Sequence, residues 1–126
     1  MAKCEFTGLA PQFVVTDVVK TAEYYRDKLG FEILGFFAEP PVYAMVCRGN
    51  AELHFGKADG EQTQTNENVR RGLGTDAYFF VSDINSLQAE LIDAGVEIVE
   101  GPIKRVYDCV EITIKDCNGF QIVFGE

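Results

Sequence analysis

The chain has 126 residues and is 47% hydrophobic, which fits one compact domain and excludes a disordered protein. Its formal net charge is −9, from 20 acidic and 11 basic side chains, and this argues against binding to nucleic acid, whose phosphates attract basic surfaces. Because no apolar run approaches the roughly 20 residues that span a bilayer, and the first residues lack the apolar segment of a secretory signal, we expect a cytoplasmic protein without membrane contact.

The first half of the chain is predicted to form a strand, a helix and three further strands. Residues 13–17 form the first strand and end at Asp17, a natural helix N-cap. Apolar side chains then recur at helical spacing, and Gly30 tolerates the left-handed conformation that ends a helix. Three short apolar segments follow, at residues 31–36, 42–48 and 51–55, and the turn between the last two suits a hairpin.

A polar segment, residues 58–74, separates the two halves. It is rich in Gln, Asn, Thr and Glu. Two interpretations stay open: a solvated connector between two modules, or a flap over a ligand.

The second half repeats the first. Residues 79–83 echo residues 13–17, Asp83 takes the place of Asp17, and Gly95 takes the place of Gly30. Strands are predicted at residues 96–99, 106–115 and 120–124. The chain is therefore one domain, 1–126, built from two βαβββ modules at about residues 8–57 and 75–126.

Alternation along each strand separates an apolar face from a mixed one. Phe13 and Val15 share one face, and Gln12 shares the other; Leu53 and Phe55 alternate in the same way with Glu52 and His54. In the second half, Phe79 alternates with Tyr78 and Phe80, and Ile122 with Val123. The apolar faces suit packing beneath the helices, and the mixed faces suit a pocket for a small molecule.

The four cysteines, Cys4, Cys47, Cys109 and Cys117, form no Cys-x-x-Cys pair, so we expect free thiols and no structural zinc.

From about residue 10 to residue 126, the chain resembles the vicinal-oxygen-chelate superfamily of glyoxalases, bleomycin-resistance proteins and dioxygenases. The run Tyr-Arg-Asp-Lys-Leu-Gly-Phe at residues 25–31 is the most specific part of the resemblance. Residues 14–17, 51–55 and 76–83 add to it, as does the ending Asp-Cys-Asn-Gly at residues 116–119. The resemblance implies an α+β fold in which two βαβββ modules form a cupped mixed sheet with the helices on its convex side, and it implies a homodimer.

Enzymes of this superfamily hold a divalent metal with one residue from each of four strands. The resemblance places these positions on Ala10, on Glu52 or His54, on Asp76 and on Val123. Ala10 and Val123 have no donor atoms in their side chains, and two ligands are too few for a tight site. We therefore predict no metal and no cofactor, as in the bleomycin-resistance branch.

Ten residues are predicted to contact a ligand, and none is assigned as catalytic. His54, the sole histidine, is an acid–base or hydrogen-bonding candidate, or else an ordinary bonded histidine on a strand. Gln12, His54, Tyr78 and Val123 are expected to face one shared hollow. The predicted ligand-binding residues are Gln12, Tyr43, Glu52, His54, Asp76, Tyr78, Phe80, Arg105, Tyr107 and Val123.

These observations favour a small-molecule binding protein that sequesters a drug or metabolite in an aromatic-lined cleft. One alternative is an enzyme: a metal-dependent lyase, isomerase or dioxygenase, or a metal-free enzyme that uses His54. The other alternative is a regulatory or interaction module with a vestigial cavity.

Overall fold

The computed structural model describes residues 2–126, in which each half of the chain builds its own four-stranded sheet. Within this range, no helix is long and apolar enough to cross a membrane. In chain order the elements are β1 (Gln12–Val15), α1 (Val18–Leu29), β2 (Glu32–Phe37), β3 (Tyr43–Arg48), β4 (Ala51–Lys57), α2 (Asn66–Val69), β5 (Ala77–Phe80), α3 (Ile84–Asp93), β6 (Ile98–Lys104), β7 (Val110–Lys115) and β8 (Gln121–Gly125).

The two sheets have the same topology. Their strand orders are β1-β4-β3-β2 and β5-β8-β7-β6, with β1 parallel to β4, β5 parallel to β8 and the other pairs antiparallel. The α+β class and the two βαβββ modules are thus confirmed. The mixed sheet is divided into two halves, one in each module.

The predicted helix boundaries follow from local hydrogen bonds. The Oδ1 atom of Asp17 accepts a bond of 3.0 Å from the backbone N–H of Lys20, and Oδ1 of Asp83 accepts from Ser86 at 3.1 Å. These carboxylates satisfy donors that the first helical turn leaves free. Gly30, at a φ of 71°, ends α1 in the left-handed conformation that suits glycine.

One hydrophobic core joins the two modules. The apolar strand faces are buried as the alternation predicts, and α1 packs across β2, β3 and β4. The Phe13 ring stacks on Phe120 with 4.2 Å between centroids, and the Phe31 ring lies 5.8 Å from that of Phe79. Since each of these pairs joins the first module to the second, the two modules are expected to unfold together.

A buried hydrogen bond also connects the modules. The Tyr25 hydroxyl donates to Oδ2 of Asp116 at 2.7 Å, and the backbone N–H groups of Asn118 and Phe120 donate to Oδ1 at 2.8 and 3.0 Å. Burial raises the pKa of the Asp116 carboxyl, and the three hydrogen bonds offset this only in part. The tyrosine hydroxyl therefore stabilises a carboxylate that burial disfavours.

Substituting Tyr25→Phe is expected to lower the free energy of unfolding by about 1–3 kcal/mol, because Oδ2 of Asp116 then loses its donor. Tyr24→Phe is the matched control. It removes a half-buried hydroxyl that does not bond to Asp116, and it should change the free energy of unfolding by less than about 1 kcal/mol. Urea denaturation of both variants measures the difference, and equal losses would contradict this account.

The second module departs from the prediction in its long strands. The predicted strand at residues 96–99 starts at Ile98 and continues to Lys104, although it contains Gly101 and Pro102. Proline is tolerated there because β6 lies at the edge of its sheet. The predicted strand at residues 106–115 begins only at Val110, so Arg105 and Tyr107 lie in the turn before it.

The segment between the modules is tied to the fold. It contains the four-residue helix α2, which was not predicted from the sequence. The Glu67 carboxylate accepts from the backbone N–H of Gly74 at 3.0 Å, and Asp76 Oδ1 accepts from that of Asn66 at 2.8 Å. The segment therefore has a fixed backbone structure, and a flap would have to break these bonds to open.

Candidate functional site

A hydrogen-bonded chain of side chains lies on the face of the first sheet opposite to its buried apolar face. We call Gln12, Tyr43, Glu52 and His54 the first cluster. The Tyr43 hydroxyl lies 2.8 Å from Nδ1 of His54, and Nε2 of His54 lies 2.6 Å from Oε2 of Glu52. Nε2 of Gln12 donates to the Tyr43 hydroxyl at 3.4 Å. Strands β1, β4 and β3 lie side by side, and this brings residues up to 42 positions apart into one row.

The directions of these bonds follow from the chemistry of the groups. A carboxylate can only accept, so Nε2 of His54 carries the hydrogen that points to Glu52. In the neutral imidazole, Nδ1 then accepts the hydrogen of Tyr43. The arrangement gives His54 a fixed tautomer and ring orientation.

A second set of polar side chains surrounds one carboxylate on the other sheet. We call Tyr78, Arg105, Tyr107 and Glu111 the second cluster. The hydroxyls of Tyr78 and Tyr107 each donate to Oε2 of Glu111 at 2.7 Å, and Nε of Arg105 donates to Oε1 at 3.0 Å. Arg105 also forms a salt bridge with Glu100. Glu111 therefore has three side-chain donors although its own side chain is only 4% exposed.

The pKa values of the second cluster follow from these bonds. Burial alone would raise the pKa of Glu111, but the bonds from Tyr107, Tyr78 and Arg105 outweigh it and hold that pKa below the usual value. The bond to Glu111 and partial burial raise the pKa of Tyr107, while burial and then Glu111 raise that of Tyr78. Near neutral pH the carboxylate is thus charged and both phenols are protonated.

The internal repeat extends to the side chains of the two clusters. Gln12 and Tyr78 occupy matching places on β1 and β5, and each crosses a glycine of the neighbouring strand, Gly56 or Gly125. The Gln12 amide oxygen lies 2.8 Å from the place of a Cβ on Gly56, and the Tyr78 hydroxyl fills the place of a Cβ on Gly125. Each glycine thus lets a side chain of the edge strand reach the third strand.

The remaining predicted residues lie in different places. Phe80 is 87% exposed, and its ring centroid lies 5.1 Å from that of Tyr78. Val123 is buried opposite Tyr78 in the β5–β8 register. Asp76 accepts backbone bonds from Asn66 and Gln121, both at 2.8 Å, so its carboxylate fixes the linker to β8.

A groove of about 870 Å³ lies between the modules. Glu52 of the first cluster lines it together with Asp76, Tyr78 and Phe80, and Leu87 of α3 forms part of its wall. Of the four side chains expected to share one hollow, Tyr78 lines this groove, whereas Gln12, His54 and Val123 are not among its lining residues. Across residues 2–126, no hydrogen bond links the first cluster to the second.

Glu111, the centre of the second cluster, is not among the residues predicted from the sequence. Its signal is present in the run Val-Glu-Ile-Thr-Ile at residues 110–114, where a carboxylate alternates with apolar residues in a strand that the sheet buries. Comparison of the two modules could also have found it, because Glu111 lies opposite Gly125 just as Tyr43 lies opposite Gly56.

The residues at the four metal positions do not fit a divalent cation. Ala10 and Val123 offer no side-chain donor, both oxygens of Asp76 accept backbone N–H groups, and Glu52 is bonded to His54. Within the described range, no three His, Cys, Asp or Glu side chains are grouped so as to hold an ion. The side chains of both clusters are instead suited to hydrogen bonding and aromatic contact.

A family model described as "Glyoxalase/Bleomycin resistance protein/Dioxygenase superfamily" matches residues 9–124 of the chain. No curated protein matches it significantly.

Solved structures resemble the fold over nearly the whole chain. TioX from Micromonospora sp. ML1 superposes with a TM-score of 0.76 at 15% identity, and the match covers 96% of this chain and 98% of TioX. The bleomycin-binding protein from Streptomyces verticillus, complexed with copper(II)-bleomycin, gives a TM-score of 0.67 at 22% identity, covering 97% of each chain. An integron cassette protein from V. cholerae gives 0.69 at 22% identity, covering 99% of this chain and 97% of that one. At these identities the likeness shows a shared fold.

Proposed function

Because this chain belongs to the glyoxalase/bleomycin resistance protein/dioxygenase superfamily, we propose that it is a small-molecule binding protein that sequesters a drug or metabolite without chemical change. The observation that carries the proposal is the open aromatic surface beside the second cluster. There Phe80 is almost fully exposed next to Tyr78, at the mouth of a groove large enough for a drug-sized molecule.

The exposed aromatic area supplies affinity. A phenylalanine side chain that passes from water into an apolar contact contributes about 1.5–3 kcal/mol. Tyr107, at 59% exposure, adds a second ring, and the hydrogen bonds of Glu111 hold its hydroxyl in place. Rings fixed before binding lose little entropy when a ligand arrives, so this surface is suited to recognition.

The residues at the four metal positions further support binding over metal-dependent catalysis. Ala10 and Val123 carry no ligand atom, and both carboxylate oxygens of Asp76 already accept backbone hydrogen bonds. The solved bleomycin-binding protein shows that the same fold can hold a drug complex. We infer by analogy that this chain holds an organic molecule of its own, in the region where Glu52, Tyr78 and Phe80 line the groove.

The test is thermal denaturation of the purified chain against a broad panel of drugs and metabolites, with measurement of bound metal. We expect at least one compound to raise the melting temperature of the wild type and not that of Phe80→Ala. Ile92→Ala, which removes an exposed apolar side chain from α3, is the matched control and should respond like the wild type.

Three results would contradict the proposal. Equal stabilisation of Phe80→Ala would place binding elsewhere, and no stabilisation by any compound would favour a regulatory module with a vestigial cavity. One tightly bound divalent metal ion per chain would favour a metal-dependent enzyme.

The first cluster supports a second candidate, a metal-free enzyme that uses His54 as a general base. Glu52 orients the ring through a bond of 2.6 Å and Tyr43 lies 2.8 Å from the opposite nitrogen, an arrangement that can relay a proton. Any compound found in the panel can be followed for turnover. A product whose formation His54→Gln abolishes, with binding retained, would favour this candidate.

We propose that the protein is a cytoplasmic homodimer. Exposed apolar side chains on both sheets support a partner surface, because isolated domains rarely leave such patches open. They are Val14, Leu34, Phe36 and Phe37 in the first sheet, and Val99 and Ile103 in the second. The free thiols of Cys4, Cys47, Cys109 and Cys117 are compatible with a reducing compartment. Light scattering should give twice the chain mass, and a monomer would contradict the dimer.

A further inference from the structure

We propose that the second cluster selects ligands that donate hydrogen bonds, such as a primary ammonium or an amide N–H, over ligands that can only accept them, such as carboxylates. This inference rests on the proposed function and names the chemical class of the ligand. It follows from the directions of the hydrogen bonds around Glu111.

Both phenol hydroxyls of the second cluster already donate their hydrogen to Glu111. A tyrosine hydroxyl has one hydrogen and two lone pairs, and a carboxylate can only accept. The hydroxyls of Tyr78 and Tyr107 each lie 2.7 Å from Oε2 of Glu111, so both hydrogens point at that oxygen. What the phenols can offer a ligand is therefore their lone pairs, which need a donor.

These directions persist at ordinary pH. Glu111 has a lowered pKa and stays a carboxylate, while the raised pKa values of Tyr78 and Tyr107 keep both phenols protonated. Near neutral pH, neither Glu111 nor the two phenols change protonation state, so the hydroxyl hydrogens keep pointing at Glu111.

Arg105 is the group that could oppose this selection, because a guanidinium attracts anions. Its Nε donates to Glu111 at 3.0 Å, and its NH2 group is held by Glu100. One positive and two negative charges leave these three residues with a net charge of −1. The local charge therefore also disfavours a carboxylate and favours a cationic donor.

The aromatic surroundings fit a ligand with an apolar part and a donor group. Tyr107 and Phe80 are the most exposed rings near the cluster, at 59% and 87%. A ligand ring can pack on Phe80, and an ammonium near such faces gains a further cation–π attraction. The phenol oxygen of Tyr107 is the more open acceptor, since Tyr78 is half-buried over Gly125.

Three probes with the same phenethyl skeleton distinguish recognition of N–H donors from recognition of charge. Phenethylamine carries a positive charge and N–H donors, phenethyltrimethylammonium carries the charge without donors, and 3-phenylpropionate carries a negative charge without donors. Dissociation constants come from NMR titration of the full chain at pH 7 and constant ionic strength. We expect phenethylamine to bind about tenfold more tightly than either other probe, in the range of one charge-assisted hydrogen bond.

Three variants locate the effect. Tyr107→Phe keeps the ring and removes the open acceptor, so the preference for phenethylamine should fall below about threefold. In Glu111→Gln the amide nitrogen can donate to one phenol, which frees a hydroxyl hydrogen for the ligand, and binding of 3-phenylpropionate should improve. Tyr24→Phe, which changes a half-buried tyrosine of α1, is the matched control and should behave like the wild type.

Equal or tighter binding of 3-phenylpropionate by the wild type would overturn the inference and would point to Arg105. Equal binding of the two cations would also overturn it, because charge alone would then be recognised. If none of the three probes binds, the donor selection is wrong at this site. The proposed binding function is decided separately by the compound panel, so the two failures are distinguishable.

Discussion

Substituting Glu111→Ala is expected to lower the free energy of unfolding by about 3 kcal/mol at pH 7, because it removes the acceptor of three donors in a nearly buried place. Tyr78 is half-buried and would lose the partner of its hydroxyl. The guanidinium of Arg105 would keep only its exposed partner, Glu100. Urea denaturation followed by circular dichroism measures the loss.

The matched control is Glu100→Ala, which removes the other carboxylate on the same arginine. The Glu100 side chain is 50% exposed, whereas that of Glu111 is 4% exposed. Exposed pairs contribute about 0–1 kcal/mol, so the control should be close to the wild type. Equal losses in the two variants would show that Glu111 is not the structural centre of the second cluster.

The difference in unfolding free energy between the wild type and Glu111→Ala should depend on pH, and the sign of that dependence follows from the pKa of Glu111. The folded-state pKa of Glu111 lies below its ordinary value of 4.5, so its stabilising contribution is complete above about pH 4.5 and is lost as the pH falls through the folded value. The stability gap between wild type and Glu111→Ala should narrow over that acid range. Asp116, whose raised pKa has the opposite sign, is present in both proteins and cancels. A gap that widens on acidification would contradict the assignment.

Substituting Gly101→Ala is expected to cost about 3 kcal/mol or more and to disturb the second cluster as well. Gly101 has a φ of 100°, which L side chains rarely adopt, and a Cβ there would collide with the backbone oxygen of Glu111. Relief of the collision requires β6 or β7 to move. Because β7 carries Glu111, this movement would disrupt the hydrogen bonds that Tyr78 and Tyr107 donate to its carboxylate.

Gly119→Ala is the matched control for this prediction. Gly119 has a similar φ of 88°, but nothing lies within 4 Å of the place of its Cβ. It should show the conformational penalty alone, about 1–2 kcal/mol, and keep its affinity for phenethylamine. If the two variants lose the same stability, the contact between Gly101 and β7 contributes nothing.

Much of the fold could be predicted from local patterns. The alternation of Phe13 and Val15 with polar residues identified the buried face of β1, and Asp17 and Asp83 marked the starts of α1 and α3. The errors lay where a local signal conflicts with sheet context. Pro102 is tolerated because β6 is an edge strand, and the turn before Val110 depends on Asp108 adopting a φ of 67°.

The candidate site was harder to predict, because it depends on register between strands that are far apart in sequence. Glu52 and His54 are two residues apart and could be paired by alternation, but their link to Tyr43 requires the β3–β4 register. Tyr78 and Glu111 are separated by 33 positions and meet across β8, over a glycine that lets them approach. No local pattern contains that information, and so Glu111 was not predicted.

The central claim, that an organic ligand with a hydrogen-bond donor binds beside the second cluster, is tested most directly by ¹⁹F NMR of protein labelled with 3-fluorotyrosine. The chain has five tyrosines, and Tyr→Phe variants assign their resonances. On titration with phenethylamine, we expect the signals of Tyr78 and Tyr107 to shift together in a saturable way. Those of Tyr24 and Tyr25 on α1 should stay unchanged. Shifts confined to Tyr24 and Tyr25, or no shift at any tyrosine up to the solubility limit of the probe, would contradict the claim.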